Sequence, residues 1–208
     1  MPTRRAMKKK APAKKPPAKK PPPKGKKPER VAPAAVPSKK TKAGQPSADG
    51  NTLYDVVEGL MRSFATSNRI TRFLLENLHD DTWHAAPPTG RGRSIAAIVC
   101  HIHNTRVMWL QSYGRKMKAP PKLDHLAVSK ADSLKALDQS YDAISKVVGT
   151  SLKSDGLIAN FKAGAAPFLA YLMTHDAHHR GQICLMAKQV GHPLPPAISY
   201  GMWEWSKR

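Results

Sequence analysis

The sequence predicts an all-α protein, a four-helix bundle with a disordered Lys/Pro/Ala-rich N-terminal tail. Three features carry that expectation. Four long segments place apolar residues at helical spacing, no segment alternates as a strand does, and the composition changes abruptly near residue 50. Residues 1–50 contain sixteen Lys and Arg against two acids, Glu29 and Asp49, with many Pro and Ala and no aromatic residue. Such a stretch cannot bury enough apolar area to offset the entropy of ordering it. It is read as a disordered basic tail, with polyproline character around residues 14–27. Residues 51–208 hold every Trp, Tyr and Phe and have an ordinary single-domain length.

The first helix starts at Asn51 or Thr52. Across TLYDVVEGLMRSFATSNRITRFLLENL the apolar positions include Val56, Val57, Leu60, Phe64, Ile70, Leu74 and Leu78, a helical period. Asp80, Asp81 and APPTGRG end it and form a connection. Ser94 suits the N-cap of a second helix, SIAAIVCHIHNTRVMWLQSY, closed near Gly114. Ser129, with Asp132 three positions on, opens a third helix from about Lys130 to Val148. Its stripe is Leu134, Leu137, Tyr141, Ile144 and Val148. Pro167 suits the first turn of a fourth helix, which runs to about Val190 and is capped by Gly191. Four helices of this length in one domain make a bundle the simplest architecture.

Charge separates the two parts. The tail carries a net +14 of the formal +21, and the remaining nineteen basic against twelve acidic residues give +7. A flexible cationic tail suits phosphate contact without base readout, so non-specific DNA or RNA binding through residues 1–50 is one expectation. An anionic membrane surface and a purely solubilising role are the others. Cys100 and Cys184 lie far apart and form no CxxC, which fits a reducing compartment. No apolar run approaches transmembrane length, and no apolar stretch follows the basic N-terminus as in a secretory signal. The expected location is cytoplasmic, with nucleoid association if the tail binds DNA.

The histidines of HDAHHRGQI, residues 175–183, sit between two apolar runs. At about 100° per residue, His179 lies one turn beyond His175, on the same stripe as Phe168, Leu172, Ile183, Met186 and Val190. His178 falls at the edge of that stripe. On the second helix His101 can face the core, while His103 points to the far side, among positions expected to be more exposed. His101, His175 and His179 therefore make a candidate metal triad. Three neutral imidazoles suit a divalent Ni, Zn or Fe ion and leave room for a further ligand. The competing reading is a set of core histidines hydrogen-bonded to neighbouring side chains. Asp176 and Gln182 flank the pair and are candidates for orienting a ligand. Arg106 and Arg180 are candidates for pairing with acids or binding an anion near the site, with a plain surface role the expectation for either alone. His79, His84, His125 and His192 fall near loops or helix ends and read as surface residues.

Three stretches, SIAAIVCHIHNTRVMWL, THDAHHRGQICLMAKQVG and the closing GMWEWSK, resemble the DinB/YfiT-like metalloenzyme superfamily over roughly residues 52–208. The resemblance implies a four-helix bundle, often a homodimer, named in many members as damage-inducible. It implies a divalent ion held by one histidine of the second helix and two of the last, here His101, His175 and His179. It further implies a metal-dependent transferase with a small thiol substrate, or a hydrolase. This is not the DNA polymerase that shares the DinB name. The alternative is a nucleic-acid-associated stress protein whose bundle is not catalytic.

Overall fold

A computed structural model describes residues 52–113 and 118–208, with side chains from Val56 onward. The expectations made for residues 1–50 lie outside the described residues. The body is all-α. Four main helices pack together, α1 (Thr52–Glu76), α2 (Ile95–Ser112), α3 (Lys130–Leu152) and α4 (Ala165–Gln189), and a short α5 (Pro196–Gly201) follows.

The helix ends follow from local chemistry. Ser94 Oγ accepts from the Ala97 N–H and starts α2. Ser129 Oγ accepts from the Asp132 N–H at 3.0 Å and donates to the Asp132 carboxylate at 2.6 Å. Asp132 therefore locks the capping hydroxyl rather than reaching the cap backbone as a longer Glu would. At the end of α4, Gly191 takes a left-handed φ of 91°. His192 N–H then donates to Ala187 O at 2.9 Å and Gly191 N–H to Lys188 O at 3.2 Å, the paired bonds of a Schellman cap.

α1 packs on α3 and α4, and α2 packs on the same two helices, so α1 and α2 face each other across the diagonal. Residues 77–94 carry the chain over that diagonal. This stretch, a connection in the sequence, contains a 3-10 turn at Asp80–Thr82 and a buried anchor, Trp83. The Trp83 indole N–H donates to Val128 O at 3.0 Å, and its carbonyl accepts from the Ala96 N–H at 2.9 Å. One residue thus ties the crossover to the starts of α2 and α3.

Two apolar cores fill the bundle. One gathers Leu74, Ile98, Ile102, Leu137, Ile183 and Met186, and the other Phe64, Leu110, Ile144, Val148, Phe168 and Leu172. Burying each such side chain contributes about 1.5–3 kcal/mol. Between the two cores every main helix contributes a buried polar residue: Asn68, Arg106, Ser140 and Asp176. This polar layer sets the position of the candidate site.

Candidate metal centre

His101 projects from α2, and His175 and His179 project from α4, which packs against it. His175 Nε2 lies 3.2 Å from His101 Nε2 and 3.2 Å from His179 Nε2. The ring pairs are steeply tilted, at 48°, 79° and 76°, so three edges and not three faces meet. Imidazole nitrogens bound at about 2.0–2.1 Å in a tetrahedron stand roughly 3.3 Å apart. The observed spacing fits that geometry. It fits mutual hydrogen bonding poorly, because His175 Nε2 would have to serve two neighbours with a single proton or a single lone pair. The three side chains could hold a metal ion.

A profile of the DinB family matches residues 50–207. The chain belongs to the DinB family. Neither the curated proteins nor the solved structures compared with it gave a match. The three histidines that meet in this DinB-family bundle are the three that the helical phases and the resemblance single out.

Around them a second set of groups stands at the outer ring nitrogens. His179 Nδ1 lies 2.8 Å from Gln182 Oε1, and the Gln182 amide nitrogen donates to His178 Nε2 at 3.0 Å. With the amide so oriented, the His179 proton sits on Nδ1 and the Nε2 lone pair is free. His178 itself is exposed and is not part of the cluster. At His175, Nδ1 and Asp176 Oδ1 are both buried without a hydrogen-bond partner among the described residues, 3.6 Å apart. A shift of a few tenths of an ångström would close that gap into a bond. It would fix the same tautomer in His175.

Asp176 is itself held in the polar layer. Its Oδ2 accepts from Arg106 Nη2 at 2.6 Å, and Arg106 Nη1 donates to Asn68 Oδ1 at 3.0 Å and Leu137 O at 3.2 Å. Burial alone would raise the Asp176 pKa. The Arg106 guanidinium, through its charge and its hydrogen bond, outweighs it and holds the carboxyl below its usual value. Burial first, then the charge of Arg93 and the neighbouring imidazoles, pushes His101 down to about 4. Burial also lowers His179, against the opposing Gln182 bond. These two imidazoles are neutral at neutral pH, with lone pairs available.

Three expectations from the sequence are corrected. Arg106 is not a surface residue but fully buried, because Asp176 pairs its charge and Asn68 and the Leu137 carbonyl accept from Nη1; its Nε has no partner among the described residues. His103 is buried rather than exposed. The loop before α3 covers that side of α2, with Pro121 O at 2.9 Å from His103 Nε2, and Asn104 exchanges two bonds with Leu123. His103 still stands apart from the triad. Arg180 too is half-buried, against α1. His79, His84 and His125 are exposed, as expected, and His192 is half-buried.

The centre is not sealed. The His175 side chain is 15% exposed, and beside it stands Tyr171, 36% exposed, with ring centroids 6.1 Å apart. A cavity of about 310 Å³, lined by Arg91, Arg93, Ile98, Gln182 and Met186, adjoins the Gln182 side.

A second group, His79, Asp81 and His192, also brings three donor atoms together. Here the rings stack face to face, with centroids 4.2 Å apart and planes at 13°. His79 Nδ1 accepts from the Asp81 N–H at 3.3 Å. Lone pairs in nearly parallel planes do not meet at one point.

Proposed function

We propose that this DinB-family chain binds one divalent ion through the Nε2 atoms of His101, His175 and His179, and acts as a metal-dependent enzyme. A thiol transferase is the reading favoured, with a hydrolase beside it. The observation that supports ion binding is the convergence of three Nε2 atoms while Gln182 and Asp176 stand at the outer Nδ1 atoms. Such outer partners fix tautomers and strengthen histidine ligands. A divalent ion in that place would supply Lewis acidity and stabilise negative charge on a thiol or another bound group. The chain's own residues do the rest. The neutral imidazoles offer lone pairs, the Arg106–Asp176 pair keeps His175 from turning, and Gln182 holds His179. Arg93, which acts on His101 and His179 through space, adds positive charge where an anionic ligand would approach.

Cobalt substitution tests this reading. The Co(II)-loaded protein should show ligand-field bands, and a small thiol should add a thiolate-to-cobalt charge-transfer band. Both should vanish in His175→Ala. A cobalt spectrum indifferent to every added thiol would contradict the thiol-transferase reading, and one unchanged in His175→Ala would contradict the ligand set.

The charge of residues 1–50 supports a second, separate role in sequence-independent nucleic-acid contact. Deleting them should abolish salt-sensitive DNA retention and leave metal content unchanged. Equal retention by the truncated chain would contradict it.

A further inference from the structure

On the face of α4 turned toward α1, a cavity of about 600 Å³ opens between the two helices and the C-terminal segment. Its wall is apolar, with Ile70, Met173, Cys184, Met202, Trp203 and Trp205, and Arg180 lies among them. Trp203 stands 77% exposed at the rim. Indole rings left in water beside a concave apolar wall are suited to covering a ligand.

Arg180 supplies the specificity. Its Nη1 faces Ser67 O, Ser67 Oγ and Thr71 Oγ1 at 3.3, 3.1 and 3.0 Å, which anchors one corner of the guanidinium to α1. Its other nitrogens have no hydrogen-bond partner among the described residues. The acid that acts on it through space, Asp176, is committed to Arg106. Arg180 is half-buried and lines the cavity, and its free nitrogens are not sealed from it, so an anion entering there can pair with them. The N-terminal tail is a poor candidate, being strongly basic and free of aromatic residues.

We propose that this cavity binds a small amphipathic carboxylate, its head on Arg180 and its apolar body between Met173, Met202 and Trp203. A planar, forked guanidinium matches a carboxylate, and the apolar wall matches an alkyl or aryl body. The site is separate from the histidine triad, so it does not depend on the metal reading.

The test is titration of the full chain with decanoate and with decanol, followed by calorimetry and tryptophan fluorescence. Decanoate should bind one per chain, about tenfold or more tighter than decanol, the margin a charge-assisted hydrogen bond gives. Arg180→Gln should erase that margin and Arg180→Lys should keep part of it. Because Arg180→Gln also loosens an anchor to α1, its melting curve is recorded alongside. Trp203→Ala, at an exposed position, should weaken both compounds and leave their ratio intact. Equal affinities for decanoate and decanol, or a margin that survives Arg180→Gln in a folded protein, would overturn the proposal. So would no binding by either compound, and if Trp203→Ala then turned a dimer into a monomer the face would belong to a second copy of the chain.

Discussion

His101, His175 and His179 converge from two packed helices, whereas His79, Asp81 and His192 gather from a turn and a helix end. Both groups bring three donor atoms into a small sphere. Only in the first do the ring edges meet, with outer nitrogens beside Gln182 and a carboxylate anchored in the bundle's polar layer. In the second the rings stack and one donor atom is spent on a backbone N–H. Proximity of ligand-type residues is thus a weak criterion. Direction of the lone pairs and support behind them separate a site from a surface cluster.

The largest expected contrast is in stoichiometry. His175→Ala should abolish binding of one ion per chain, and His192→Ala should leave it intact; equilibrium dialysis with elemental analysis reads both. Loss in His192→Ala alone would reverse the assignment. Next comes Asp176→Asn, which leaves the buried Arg106 without its anion. It should cost about 3 kcal/mol or more of stability, seen in chemical denaturation, and also weaken the ion. The corresponding change at exposed Asp81, Asp81→Asn, should do neither. Gln182→Ala should lower metal affinity about tenfold, with little change in melting temperature. His178→Ala comes last, since His178 only accepts from the Gln182 amide; its metal content should stay near that of the parent.

Acid should expose the same difference. The folded pKa of His101, about 4, lies below an unfolded value near 6.5. The unfolded chain therefore binds more protons in that interval. The His101 contribution to the stability of the metal-free protein should fall as pH drops from about 6.5 and level off below about 4. His101→Asn should flatten that slope in melting curves taken across the interval. An unchanged slope would show that His101 is not held neutral by its surroundings.

Much of this was legible in the sequence because it is local. Helical periods give the four helices, and Ser94, Ser129 and Gly191 mark ends through short-range hydrogen bonds. The four-residue step from His175 to His179 fixes their shared face. His101 was reachable by phase alone. The diagonal placement of α1 and α2 was not, since it depends on which helices pack and on how Trp83 ties down the crossover. Arg106 and His103 were misplaced for the same reason. Their burial is set by partners distant in sequence, Asp176 and Asn68 for the first and the Pro121 carbonyl for the second. A helix covered on several sides has no polar face for a periodicity argument to find, which is why α2 reads as more exposed than it is.

The most direct test of the central claim is elemental analysis of untagged protein purified without chelator, before and after reconstitution, beside His175→Ala. The account predicts close to one equivalent of nickel, zinc or iron per chain in the parent and none retained by the variant. No metal in the parent even after reconstitution, or equal metal in both, would contradict it and leave three core histidines held by hydrogen bonds alone.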